Sequence, residues 1–383
     1  MTTLSGSPSL GPRLALGALR SPFKRPRPGA VFSGTGDRLV LPGLRVDLAR
    51  LAAYERVCAF PTGEDALPLT YPHVLGFPLA MRIMSGRDFP LPLLGLVHTS
   101  IEITRRTALA ATATYELTVY VDRLAPHRKG TEAVVVTELR ADPPHGTGHG
   151  PASGGEPVWT STSTYLARHR TEAEPAAGHA TPPADQAVPA PGQPTPAAGR
   201  TTPAPDPSGP APDQAAATAG RTPPAPGRAA SEQAASEQAA SEQAVSEQAA
   251  SEQAGPLPGR AEPGLLPVLD EWRLASDVGR RYGAASGDRN PIHLHALTAR
   301  LFGFPRAIAH GMWTVARCLA AHGVPPAVRV RAEFRAPVLL PGTVVLAADG
   351  SRFELRGTGE AGRVHVSGRV DPLGDAATGP RTA

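Results

Sequence analysis

The sequence predicts an α+β fold assembled from two similar halves. Two observations carry this. A helical segment followed by several long strand-like runs occurs once before residue 170 and again after residue 263. Between them, residues 171–262 are dominated by Ala, Pro, Gly, Ser, Thr, Glu and Gln and hold no Phe, Tyr, Trp, Ile or Met. Such a stretch cannot bury enough apolar surface to offset its ordering entropy, so it reads as a long disordered insert.

The elements follow in order. Residues 1–35 read as a basic, poorly ordered lead-in, and 36–170 as the first folded half. Asp47 is a plausible N-cap for a helix with Leu48, Leu51, Ala52 and Cys58 near helical spacing. Pro68, Pro72 and Pro78 argue for turns over 67–78, with a short helix from about Leu79. Strands are expected at 94–105, 111–122, 130–141 and 156–167, all rich in Val, Thr, Ile and Tyr. The insert is Pro-rich at first and then repeats Ser-Glu-Gln from 231, 236, 241, 246 and 251. A period of five residues lays down no apolar helical stripe, and a flexible tether is the expected role.

The second half spans 263–373, with 374–383 as a flexible tail. A strand is expected within 265–274, then a helix capped by Ser276 and ended by Gly287. Pro291 suits the first turn of another helix, in which Leu294, Leu297 and Leu301 align. Met312, Val315, Ala316, Leu319 and Ala320 give a third helix, from Gly311, a continuous apolar face. Strands return at 327–337, 343–349, 351–357 and 363–370, with Asp349-Gly350 as a hairpin signal.

Composition narrows the function classes. The formal net charge is +4 with no Lys/Arg block, so nucleic acid is not expected as a partner. No apolar run approaches the ~18 residues that indicate a membrane span. Cys58 and Cys318 lie in apolar helical patterns in different halves and read as buried thiols of a cytoplasmic protein.

The chemistry concentrates in Tyr282–Met312. Asp288, Asn290, Pro291 and His293 place a carboxylate, an amide and an imidazole around one stiff corner. Each has an ordinary structural explanation, as a turn, a cap or a core histidine. Paired, Asp288 and His293 form a credible acid/base couple, because imidazole titrates near neutrality and a neighbouring carboxylate tunes it. Gly311 opens a helix, where an amide without an intrahelical partner can meet a developing negative charge; the alternative is that it only allows tight packing. His293 and His295 lack a third ligand nearby, so neither a metal nor a cofactor is expected. Arg329 and Arg331 alternate with apolar residues on a strand, as either a solvated face or candidate phosphate ligands.

The motif Y-x-x-x-S-G-D-x-N-P-I-H, from Tyr282 to His293, is followed by Gly303-Phe304 and by Ile308-Ala309-His310-Gly311-Met312. It resembles the signature of MaoC-like (R)-specific enoyl-thioester hydratases and 3-hydroxyacyl-thioester dehydratases of the hot-dog superfamily. The two halves resemble the double hot-dog members, in which two antiparallel sheets each wrap a central helix. The resemblance is specific over about 276–345, looser over 36–170 and absent from the insert. It implies Asp288 and His293 as the catalytic pair, Gly311 as oxyanion donor, and Asn290 with Pro291 as loop support. It implies an acyl-CoA or acyl-carrier-protein thioester as substrate and a monomer, its halves mimicking a dimer, or a homodimer. Related single-domain enzymes can place a serine in the helix after the H-G-M; here the stretch is Ala316-Arg317-Cys318-Leu319. The first half has no D-x-N-P-x-H, which implies a half without catalysis that makes room for an acyl chain, with His73 and His98 structural or pocket-lining. The competing expectations are a hot-dog thioesterase and a non-catalytic acyl-binding or scaffold subunit.

Overall fold

Both halves use one strand order. In a computed structural model of the chain, the first half contributes β2 (Leu39–Arg45), β3 (Leu96–Arg105), β4 (Thr114–His127), β5 (Gly130–Ala141) and β6 (Trp159–Arg168). The second contributes β7 (Val268–Leu274), β8 (Val328–Phe334), β9 (Gly342–Ala348), β10 (Arg352–Gly357) and β11 (Val364–Pro372). The sheet runs β2-β4-β5-β6-β3 and then, across the seam, β8-β11-β10-β9-β7. Numbering strands within each half, both read first-third-fourth-fifth-second, so the duplication expected from the sequence is present in the topology. The second strands, β3 and β8, pair antiparallel, with Ile101 opposite Ala332 and Ile103 opposite Val330. The two hot-dog sheets are thereby continuous. The structure describes residues 1–11, 17, 20–24, 32, 34–142, 155–169, 266–358 and 362–374. The insert at 171–262 and residues 375–383 of the tail lie outside them.

Each half packs a central helix on its sheet: α2 (Tyr71–Met84) in the first, α6 (Gly311–His322) in the second. Apolar residues dominate α2, with Leu79, Met81 and Met84 buried. The helix begins well before Leu79, contrary to the proline argument. Pro72 falls in the first turn, where a missing N–H costs nothing, and burial of Val74, Leu79 and Met81 outweighs the hydrogen bond lost at Pro78. On α6 the expected face is buried at Met312, Val315, Ala316 and Leu319, but Trp313, Thr314 and Cys318 are buried too. A helix enclosed on most sides is what a central position requires.

Shorter helices frame the centre. α1 (Leu48–Cys58) is capped by Asp47, whose side chain accepts from the amides of Ala49 and Arg50. α3 (Val278–Ser286) has Asp277 in the N-cap position, one residue after the expected Ser276 and without a side-chain capping hydrogen bond, and ends on Gly287 with φ 86°. The helix expected from Pro291 is broken in two, α4 (Pro291–Leu294) and α5 (Ala296–Arg300), by His295 in an extended conformation. Leu297 and Leu301 consequently face outward instead of lining a core.

The N-terminal lead-in is partly structured. Thr2–Thr3 form β1, pairing parallel with β2, and Leu4 and Phe32 are buried in the core. Among the described residues no helix is long and apolar enough to cross a membrane.

Candidate active site

The turn from Gly287 to His293 is built by its own side chains. The Asp288 amide donates to Ser286 Oγ at 3.2 Å, and the Asn290 amide to Asp288 Oδ1 at 3.2 Å. Asn290 caps α4, its Oδ1 accepting from the Ile292 amide, and Pro291 follows in the first turn. Asn290 and Pro291 thus shape the corner between Asp288 and His293.

The structure brings Asp288 and His293 together and adds a third group. Asp288, His293 and His310 each place one side-chain atom within 4.8 Å of the others. The His293 and His310 rings stack with centroids 3.7 Å apart and 26° between their planes. His293 Nδ1–H donates to the Ile308 carbonyl at 2.8 Å, which leaves the Nε2 lone pair of the neutral ring available. His310 Nε2–H donates to the main-chain carbonyl of Asp288 at 3.0 Å and lies 3.9 Å from its carboxylate.

Burial dominates the electrostatics. It raises the Asp288 carboxyl above the usual carboxylate range, while the His293 charge and the Asn290 amide work in the opposite direction. It lowers His293, opposed by Asp288, and it lowers His310 strongly, with His293 adding to the effect. Asp288 nonetheless keeps 28% of its side chain exposed, because it faces a cavity inside the protein.

Three groups of this kind can in principle hold a metal. Here the stacked rings argue otherwise. Ring lone pairs lie in the ring planes, and two planes only 26° apart at 3.7 Å do not converge on one ion. The arrangement suits proton transfer better than chelation.

The cavity measures about 620 Å³ and is lined by both halves. Asp288, His293 and Gly311 stand on the second-half wall, while Phe77, Met81 and Met84 of α2 supply apolar surface opposite. Gly311 is the first residue of α6, and a Cβ there would lie 2.9 Å from the Phe334 ring. His73 and His98 also line the cavity; both rings are kept neutral by burial, His73 with a pKa lowered to about 4.

Arg329 and Arg331 are not at this cavity. Val328, Val330 and Ala332 of β8 are buried, so the arginines project from the opposite face. Arg331 Nε pairs with Glu102 at 2.7 Å and its other nitrogen with Asp371 at 3.3 Å; Arg329 lies 3.6 Å from Glu102. Acidic partners on β3 and β11 already balance that cationic face, which sequence alternation alone does not reveal. Arg289 and Arg335 line the cavity instead. Sequence reasoning also left His310 without a role. Its place directly before a buried helix N-terminus was the available signal.

Known proteins resemble the chain in sequence and in fold. Residues 268–365 match the MaoC like domain family. The chain is 29% identical over 305 residues to 3-hydroxyacyl-thioester dehydratase X of Mycobacterium tuberculosis, covering 79% of this chain and 76% of that protein. The crystal structure of HtdX from Mycobacterium tuberculosis superposes with a TM-score of 0.56 at 25% identity, over 88% of this chain and all of that one. A MaoC-like dehydratase from Phytophthora capsici shares the fold, with a TM-score of 0.52 at 15% identity over 91% of this chain and 99% of that one. The second half of this double hot-dog fold, residues 268–365, is thus similar to a MaoC-like domain.

Proposed function

We propose that the protein catalyses the reversible hydration of trans-2-enoyl thioesters to (3R)-hydroxyacyl thioesters, carried by CoA or an acyl-carrier protein. The observation that supports this most is the cluster of Asp288, His293 and His310 on the wall of a cavity that also holds the N-terminus of α6. In the dehydration direction the C2 proton leaves, negative charge builds on the thioester oxygen, and the C3 hydroxyl departs as water. Asp288 and His293 exchange the protons, acting as one coupled pair. The Gly311 amide receives the developing oxyanion; a donor of this kind is worth about 10²–10³ in rate. His310 does not transfer protons in this scheme; it holds the Asp288 main chain.

The acyl chain lies against Phe77, Met81 and Met84, and Arg289 meets the anionic carrier, whereas Arg335 is paired with Glu333 at 2.7 Å. The relative named as a 3-hydroxyacyl-thioester dehydratase supports the same reaction class. The test is an absorbance assay on enoyl-CoA substrates of several chain lengths, with free thiol followed in parallel. Loss of the enoyl band without thiol release is the expected result. Thiol release would mean hydrolysis, and saturable binding without either change would mean an acyl-binding protein.

A further inference from the structure

We infer that Arg50, in the half without the D-x-N-P-x-H motif, is a positioning residue for the reaction carried on the other half. The inference rests on the proposed reaction. Arg50 stands on α1 and reaches across to the end of α3. Its Nε donates to the Ala285 carbonyl at 2.8 Å and a terminal nitrogen donates to the Ser286 carbonyl at 2.7 Å. The last carbonyls of a helix have no intrahelical partners and carry partial negative charge, so a planar cation with two parallel donors satisfies both. These carbonyls lie three and two residues before Asp288.

The chain between the clamp and the carboxylate has little freedom. Gly287 adopts φ 86°, and a Cβ there would lie 2.5 Å from Leu10 Cδ1 and 2.9 Å from an Arg50 nitrogen. Ser286, held through its carbonyl by Arg50, in turn accepts the Asp288 amide through its hydroxyl. His310 takes the Asp288 carbonyl from the other side. The segment carrying the carboxylate is therefore gripped at one end by the first half and at the other by the second. A second tie starts from the same α1, since Trp313 Nε1 of α6 donates to the Val57 carbonyl at its end. α1 is thus fixed both to the helix before Asp288 and to the helix that begins at Gly311. A half that has no acid/base pair of its own helps set the distance between the two groups that need to face one substrate.

The guanidinium fork makes the claim specific. Lysine can satisfy one carbonyl but not both with fixed geometry, and glutamine supplies a short, neutral donor. The experiment uses the full chain with Arg50→Ala, Arg50→Gln and Arg50→Lys. It reads crotonyl-CoA hydration across pH, thermal unfolding, and the His310 and His293 ring signals by ¹⁵N-histidine NMR. Arg50→Ala is expected to lower kcat by about 10-fold or more, the cost of a small misplacement of a reacting group, while KM stays within about two-fold. The pH limbs of kcat/KM shift, the His310 ring signal moves in a folded protein, and Arg50→Lys falls between wild type and alanine. The inference is overturned if kcat and the ring signals stay at wild-type values. It is equally overturned if activity falls only as the folded fraction falls, with an unchanged pH profile. Should the wild-type chain hydrate no enoyl thioester, the proposed reaction fails, yet the ring signals still report whether Arg50 holds the Asp288 segment.

Discussion

The His293 and His310 rings are stacked 3.7 Å apart, and each spends one nitrogen on a main-chain carbonyl, Ile308 for the first and Asp288 for the second. Two imidazolium ions at that distance would repel strongly, so the pair carries at most one proton beyond neutrality. Position decides which ring exchanges it. His293 keeps its Nε2 lone pair free and interacts electrostatically with the Asp288 carboxylate, whereas His310, 3.9 Å from that carboxylate, spends its Nε2–H on the Asp288 carbonyl. Asp288→Asn and His293→Gln should each lower kcat for crotonyl-CoA hydration by about 10²–10⁴, as lost acid/base help does. His310→Phe should cost less, on the order of 10-fold, because it removes a tether and not a proton carrier. Wild-type turnover by Asp288→Asn or His293→Gln would refute the assignment.

Stability should fall on mild acidification. Burial lowers His73, His98, His293, His310 and His365, so between the unfolded value near 6.5 and their folded values the unfolded chain binds more protons. Stability contributed by such groups is fully present above about pH 6.5 and drains away as pH drops through that window. Asp288 and Glu55, raised by burial, work with the opposite sign, but they are two groups against five. Glu138 and Asp349 are lowered, the latter to about 2, so their loss comes at more acidic pH. The Tm is expected to be lower at pH 5.5 than at 7.5, and His73→Phe should flatten that slope. A Tm that is level or rises toward pH 5.5 would contradict the burial argument.

Gly311 has two explanations, and a double substitution separates them. Gly311→Ala puts a methyl 2.9 Å from the Phe334 ring and is expected to lower kcat by about 10²-fold if it also keeps the thioester oxygen from the amide. Phe334→Leu makes room for that methyl. If packing alone requires glycine, Gly311→Ala combined with Phe334→Leu recovers the rate of Phe334→Leu. If close approach of the substrate oxygen requires it, the double variant stays slow. Rates on crotonyl-CoA relative to each single variant decide.

Much of this was legible in the residues. Richness in Val, Thr, Ile and Tyr marked β3 to β6 to within about five residues at each end, and repetition of helix-then-strands marked the duplication. The expected pair, Asp288 and His293, meets because Asn290 caps α4 and Pro291 stiffens the corner, both local effects. What failed was non-local. α2 tolerates Pro78 because its neighbours are buried. Arg331 is neutralised by Glu102, more than two hundred residues earlier in the chain. His310 belongs to the motif without a role legible there, and only the return of the chain past Asp288 gives it a partner. Arg50 carried no motif at all.

The seam between the halves should be sensitive at one buried cation. Arg105, on β3, donates through Nε to the Pro326 carbonyl at 2.8 Å and through its terminal nitrogens to Pro325 at 2.9 Å and Leu67 at 3.3 Å. It thus ties the turn before β8 to the loop before α2. Burial lowers its pKa, and hydrogen bonds to three carbonyls offset the cost of enclosing the charge. Arg105→Met keeps the volume and removes every donor, leaving carbonyls in the interior without partners, at about 1–3 kcal/mol for each one that stays buried. Denaturant unfolding should show a lower midpoint with an unchanged slope, because the same surface is exposed on unfolding. Arg105→Lys should recover part of the loss, since a compact ammonium reaches fewer of the three. A midpoint equal to wild type in Arg105→Met would mean that Arg105 adds nothing to the seam.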